Sequence, residues 1–127
     1  MILVPVSAGE LLDKITILRI KKSRLDDAAK IANVSRELEL LESVEQEHLS
    51  GGPDYKALYQ ALYDVNNELW DVEDGKRDCE RRKSFGEPFI ELARKVYMRN
   101  DHRAAVKRQL NDLLGSAIVE EKSYKAY

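Results

Sequence analysis

The chain has 127 residues, of which 35% are charged and 43% hydrophobic, and its formal net charge is −2. At this length a single hydrophobic core is expected, and folding requires neither disulfides nor a metal. Aromatic residues are scarce and β-branched residues do not cluster, which argues against an all-β fold, and the lone cysteine, Cys79, excludes an intrachain disulfide.

The first predicted helix begins after Ser7, which forms a capping box with Glu10: the hydroxyl accepts from the Glu10 amide and the Glu10 carboxylate bonds back to the Ser7 amide. An apolar stripe at helical spacing follows, formed by Leu11, Ile15, Leu18 and Leu25. Ile17 and Ile20 lie off this stripe. We therefore expect this helix to contact neighbours on more than one side.

Two long helices are predicted next, and each carries apolar residues alternating at steps of three and four, as in coiled coils. Asp26-Asp27 caps the second helix, which ends before Gly51-Gly52-Pro53, and Asp54 caps the third. The apolar seam of the third helix reaches Cys79 only if the helix continues through Gly75. Because the connection is short, these two helices are predicted to form an antiparallel hairpin.

Pro88 suits the first turn of a fourth helix, since its missing amide hydrogen has no partner there. Asn100-Asp101 is predicted to end that helix and to cap a fifth, which closes at Gly115. The tail at Ala117–Val119 is expected to run extended against the first residues. The predicted fold is one all-α domain over residues 1–127, a bundle of about five helices with short extended terminal segments.

Targeting signals are not evident. The segment Met1–Val6 lacks a basic region and is too short for a secretory signal, and no apolar run is long enough to span a membrane. A cytoplasmic protein is expected by elimination.

Charge is unevenly distributed along the chain. Between Glu37 and Asp74 acidic residues dominate and Lys56 is the only lysine or arginine, whereas bases outnumber acids from Lys76 to Arg108. Acidic and basic helices that lie side by side, within the chain or across a dimer, explain this pattern. A basic surface for phosphate groups is the alternative.

Signals for catalysis are few. Glu45 and His48 form one Glu-x-x-His pair, whereas a di-iron bundle requires two. Two histidines and Cys79 do not supply a zinc site of usual spacing, and Gly51-Gly52 lacks the lysine of a phosphate-binding loop. The sequence therefore predicts no metal and no cofactor, and favours a protein that is not an enzyme.

Polar residues form lines on three predicted helices: Glu10, Lys14 and Lys21; Asn66, Trp70, Glu73 and Arg77; and Arg103, Lys107 and Asn111. Ion pairs between helix surfaces explain these lines. A ligand site is the alternative, in which the third line binds phosphate oxygens and the only tryptophan, Trp70, stacks on a sugar or base.

Four blocks carry a resemblance to a known family: Gly9–Leu18, Glu68–Asp74, Val96–Asn111 and Ile118–Tyr124. Together they resemble a bacterial and viral family of small helical domains of unknown function, whose members often accompany surface-glycan assembly proteins such as glycosyltransferases. The resemblance implies no activity. It marks, as candidate ligand-binding residues, Lys14, Trp70, Glu73, Asp74, Asn100, Asp101, Arg103, Lys107, Asn111, Glu121, Lys122 and Tyr124.

Three functions follow from these patterns. The first is a non-catalytic association or adaptor module that forms a dimer or larger oligomer, or binds an enzyme of surface-glycan assembly. The second is a site, or an enzyme, for a sugar phosphate or nucleotide sugar. The third is nucleic-acid binding through the fourth and fifth helices, against which the acidic net charge argues.

Overall fold

The computed structural model describes residues 1–127 and contains four helices and no strands: α1 (Ala8–Arg24), α2 (Ala28–His48), α3 (Pro53–Arg81) and α4 (Glu87–Leu113). The all-α prediction is confirmed, with extended segments at both ends of the chain. None of the helices is both long enough and apolar enough to cross a membrane.

Helix α1 is the central element, since it packs against α2, α3 and α4. Its side chains are buried on several sides, as Ile17 and Ile20 predicted, and nine residues form the core: Leu11, Leu12, Ile15, Leu18, Leu38, Leu62, Val65, Val106 and Leu110. The predicted cap is present, because the Ser7 hydroxyl accepts from the Glu10 amide at 3.1 Å. The middle of α1 is therefore covered by neighbouring helices on several sides.

The long antiparallel hairpin is formed by α3 and α4, not by α2 and α3 as the sequence predicted. Gly75 on α3 faces Leu92 on α4, and Glu68 pairs with Arg99, which fixes the opposite directions of the two helices. Helix α2 packs along α1 instead, and Leu38 is its only fully buried residue. A short connection makes two helices neighbours in sequence but does not decide that they pack against each other.

The predicted break at Asn100-Asp101 is wrong, because α4 runs through both residues. The apolar positions Leu92 and Val96 continue at the same spacing into Val106 and Leu110, and Arg103 occupies the seam between them. An ion pair rather than an apolar contact fills this part of the interface. The interruption of the apolar stripe was therefore a buried polar contact and not a helix end.

Two further boundaries follow from glycine and proline. Helix α3 is continuous through Gly75 to Arg81, and Cys79 is buried in its seam. Gly52, not Asp54, is the N-cap of α3, because Pro53 fits the first helical position. At the end of α4, Gly115 has a φ of 63°, and the Ser116 amide bonds back to the Asn111 carbonyl at 2.9 Å, as in a Schellman motif.

Candidate functional site

A buried carboxylate lies where α1, α3 and α4 meet. Asp13 on α1 is 2% exposed, and both of its oxygens accept from the guanidinium of Arg103 on α4, with a distance of 2.9 Å from Nε to Oδ1. Asn66 on α3 donates to Asp13 Oδ1 at 2.8 Å and to the Thr16 hydroxyl at 3.0 Å. The hydrogen bond from Arg103 to Asp13 raises the pKa of the guanidinium. Asp13, Arg103 and Asn66 therefore join three helices at one point.

Lys107, one turn further along α4, lies between two carboxylates. Its ammonium donates to Glu10 on α1 at 2.7 Å and to Glu120 in the C-terminal segment at 3.1 Å. Burial acts to lower the pKa of Lys107, but the hydrogen bonds to Glu10 and Glu120 and the nearby charge of Asp13 outweigh it, so the pKa is raised. The Glu10 carboxylate thus bonds to Lys107 and does not accept from the Ser7 amide, as a capping box would require. The Ser7 hydroxyl donates to Glu120, at 2.7 Å.

Asn111 lies one turn beyond Lys107 on α4 and forms a hydrogen bond with the start of α1. Its Oδ1 accepts from the Gly9 amide at 2.6 Å, and the Ser116 hydroxyl accepts from the Ala8 amide at 3.2 Å. Both amides belong to the first turn of α1, which has no intrahelical acceptors. The end of α4 thus supplies the acceptors that the beginning of α1 needs.

An open cleft of about 420 Å³ lies on the α3 side of this network. Its lining is both apolar and polar: Ile17, Asn66, Leu69, Trp70, Glu73, Asp74, Arg77, Asn100 and Arg103. The guanidinium of Arg24 lies over the Trp70 ring, 5.7 Å from its centroid. Glu73 pairs with Lys76 and Arg77 of its own helix. The cleft is lined by Arg103 and by four other predicted site residues: Trp70, Glu73, Asp74 and Asn100.

A second cleft of about 730 Å³ lies along α4, under the C-terminal segment, and shares Asn100 with the first cleft. That segment runs back along α4: Glu121 pairs with Arg108, Lys122 with Asp101, and Tyr127 packs on Tyr97. Lys122 also lies over the Tyr124 ring, 5.7 Å from its centroid. Hydrogen bonds join the tail to the start of α1 from Ser7 to Glu120 and from Ala8 to Ser116, whereas residues 1–6 form no hydrogen bond with it.

The structure thus divides the predicted site residues into four sets, of which the first lines the cleft beside α3: Trp70, Glu73, Asp74 and Asn100. Arg103, Lys107 and Asn111 do share one face of α4, but that face is turned toward α1 and is occupied by protein groups. Asp101, Glu121, Lys122 and Tyr124 belong to the tail contact. Lys14 lines neither cleft and pairs with Glu10 at 3.7 Å, with 52% of its side chain exposed.

Sequence reasoning missed the acidic partners as site residues. Asp13 and Glu120 lie at the centre of the network, but neither was marked as a candidate. For Asp13 a signal existed, because it follows Leu12 and lies two positions before Ile15 on a helix with apolar residues on several faces. No local signal marked Glu120, whose position depends on the path of the tail. No three His, Cys, Asp or Glu side chains are grouped as metal ligands would be.

Comparison with known proteins places the chain in a family. A family model described as "Family of unknown function (DUF6165)" matches residues 2–127. No curated protein matches the chain, and no solved structure matches it. Because that model spans nearly every residue, including the polar network and both clefts, the chain belongs to the family of unknown function DUF6165.

Proposed function

We propose that this protein is a non-catalytic association module that binds a second copy of itself. The observation that supports this most directly is the segment Met1–Val4, whose four apolar side chains are 67–96% exposed. The segment is extended and its backbone forms no hydrogen bonds. An exposed apolar segment with unpaired backbone groups is a surface that proteins normally cover.

The other end of the chain adds to the same surface. Ile118 and Val119 are also exposed, and hydrogen bonds join their neighbours to the start of α1, from Ser7 to Glu120 and from Ala8 to Ser116. We call Met1–Val6 together with Ile118 and Val119 the terminal surface. Covering one large aliphatic side chain contributes about 1.5–3 kcal/mol, so two copies of this surface supply enough apolar area to favour a dimer.

The polar network supports an association module rather than a ligand site at Arg103, Lys107 and Asn111, which we call the α4 line. Lys107 has a side chain only 14% exposed, between Glu10 and Glu120, and Arg103 is held by Asp13. A phosphate group at this line would have to displace carboxylates that are part of the fold. The line therefore supports a role in holding α1, α4 and the tail together.

Two other partners receive different support. The resemblance of the four sequence blocks favours an enzyme of surface-glycan assembly as a further partner, in the cytoplasm. Nucleic-acid binding loses its structural basis, because α4 is one helix and contains no turn between residues 100 and 101.

The test is sedimentation velocity over a range of concentrations, in which the wild type is expected to be a dimer. The double variant Ile2→Asp with Leu3→Asp should be a monomer, because two charges cannot be buried in an apolar contact. Its melting temperature in dilute solution should be close to that of the dissociated wild type, since Ile2 and Leu3 are 90% and 83% exposed. The matched control is Leu40→Asp, which places an acid at an exposed position of α2.

A wild type that remains a monomer at the highest concentration would contradict the proposal. So would a double variant that dimerises as the wild type does. Loss of the dimer only in the Leu40 variant would move the interface from the terminal surface to α2.

A further inference from the structure

Asn66 lines the cleft beside Trp70, and one of its side-chain atoms has no hydrogen-bond partner in the chain. Its residue is 6% exposed and its amide nitrogen donates to Asp13 and to Thr16. An ionised carboxylate only accepts hydrogen bonds, so the nitrogen must face Asp13 and the carbonyl oxygen must face away from it. That oxygen has no partner in the chain, although Asn66 lines the cleft. The lining of the cleft therefore includes a fixed acceptor that is free to bond a donor.

Asn100 offers the complementary group across the cleft. Its oxygen accepts from Arg103 Nη1 at 3.3 Å, which leaves its amide nitrogen, a donor, without a partner. Asp74 also lines the cleft and forms no ion pair within the chain. Acceptors at Asn66 and Asp74 and a donor at Asn100 surround the same space. A hydroxyl group, which donates and accepts, satisfies both kinds of atom.

The charges of the cleft disfavour an anion. Its carboxylates are Glu73 and Asp74, and the guanidinium of Arg103 already donates to both oxygens of Asp13. Arg77 is bound to Glu73 and is mostly exposed. Ionised phosphate oxygens would meet two carboxylates and the carbonyl oxygen of Asn66, none of which can donate a hydrogen bond to them. A neutral ligand meets no such repulsion.

The apolar part of the cleft suits a ring. Trp70, Leu69 and Ile17 line it, and Arg24 covers one face of the indole from outside the cleft. The C–H face of a sugar ring packs on an aromatic ring, while its hydroxyls reach the surrounding polar atoms. We propose that this cleft binds a neutral pyranose sugar, with Trp70 as the stacking surface and Asn66, Asn100 and Asp74 as the hydrogen-bonding groups.

Fluorescence provides a direct test, because Trp70 is the only tryptophan. Glucose, galactose, mannose and N-acetylglucosamine are titrated into the full chain, with glucose 1-phosphate and inorganic phosphate as anionic probes. At least one neutral sugar should give a saturable change, with a dissociation constant near the millimolar range, and saturation-transfer NMR should show contact with its ring protons. The phosphorylated sugar should bind more weakly than glucose.

Asp74→Ala should weaken binding of that sugar roughly tenfold, which is the effect of losing one hydrogen bond to a charged group. Its matched control is Asp78→Ala, one turn along the same helix and outside the cleft, which should bind as the wild type does. The proposal is overturned if no neutral sugar produces a signal by either method. It is also overturned if glucose 1-phosphate binds more tightly than glucose, or if Asp74→Ala and Asp78→Ala have equal affinities.

Discussion

Arg103 and Asp13 lie ninety positions apart in the chain, yet the guanidinium of one donates to both oxygens of the other. The Arg103 side chain is 29% exposed and Asp13 only 2%. Asp13 depends on this partner, since the other groups that reach it are the Asn66 amide and, at 3.9 Å, the Lys107 ammonium. The contact fixes how α4 lies on α1.

Replacing Arg103 with Ala should lower the free energy of unfolding by about 3 kcal/mol, because it leaves a buried carboxylate without its main counter-ion. Urea denaturation at neutral pH measures this. The control is Arg99→Ala on the same helix, which removes a partly exposed pair with Glu68 and should cost less than about 1 kcal/mol. Equal stability of the two variants would show that Arg103 is not the structural partner of Asp13.

Two glycines in helices should respond differently to alanine. At Gly9 a Cβ would lie 2.7 Å from the Lys107 carbonyl oxygen and 2.9 Å from Asn111 Oδ1, so α1 and α4 would have to separate. We expect Gly9→Ala to destabilise the fold by about 1–3 kcal/mol, despite the better helix propensity of alanine.

At Gly75 the nearest atom to a new Cβ is Leu92 Cδ1 at 3.0 Å, the end of a side chain that can rotate. The helix-propensity gain of about 1 kcal/mol should therefore offset most of the packing cost, leaving a change within about 1 kcal/mol. Thermal melts of both variants check these values. A larger loss at Gly75 than at Gly9 would contradict the described contact between α1 and α4.

Tyr59 has a buried hydroxyl without a hydrogen-bond partner. Removing it in Tyr59→Phe should leave stability unchanged or raise it by about 1 kcal/mol, because an unsatisfied polar group is no longer buried. The control is Tyr55→Phe: the Tyr55 hydroxyl donates to Glu45, so its loss should destabilise. Denaturant melts at neutral pH should show a lower free energy of unfolding for Tyr55→Phe than for the wild type, and no such decrease for Tyr59→Phe.

The same tyrosine predicts a loss of stability at alkaline pH. Burial raises the pKa of Tyr59 to about 12, above the ordinary value of 10.0 that holds in the unfolded chain. Ionisation of Tyr59 therefore leaves the free energy of unfolding unchanged below pH 10.0 and lowers it as the pH rises toward about 12, because the unfolded state releases the tyrosine proton first. Tyr59→Phe should lose less stability than the wild type over this interval.

Glu120 predicts the opposite dependence, at acidic pH. Burial alone would raise the pKa of this carboxyl, but hydrogen bonds from Ser7 and Lys107 outweigh it and the pKa is lowered. Its ionised form therefore stabilises the fold at neutral pH, and the contribution is lost as the pH falls below the ordinary carboxyl value of 4.5. Because the side chain is 44% exposed, the contribution should be below about 1 kcal/mol.

The measurement is the stability difference between wild type and Glu120→Gln as a function of pH. It should be positive at pH 7 and disappear in acid. Glu121→Gln serves as the control, since the pair of Glu121 with Arg108 is more exposed and should give almost no difference at any pH. A difference that grows in acid would mean that the tail is held by other contacts.

Local patterns along the chain were sufficient to predict the helices and most of their ends. The Ser7 cap, the Asp27 cap of α2, the stop before Gly51-Gly52-Pro53 and the glycine closure at Gly115 all depend on residues within one turn. Continuity through Gly75 was left open by the sequence, since the cost of glycine in a helix is small enough for packing against Leu92 to decide it.

The tertiary structure alone decided which helices pair and what the charged residues do. Apolar periodicity marks a buried face but not the helix that covers it, so the hairpin was assigned to α2 and α3 instead of α3 and α4. Asn100-Asp101 has the composition of a helix cap. The ion pair between Arg103 and buried Asp13 nevertheless stabilises an α4 that continues through these two residues. Sequence also placed Arg103, Lys107 and Asn111 correctly on one face. Whether such a face binds a ligand or another helix depends on the groups opposite, and these come from α1 and the tail, about a hundred residues away or just beyond the helix end.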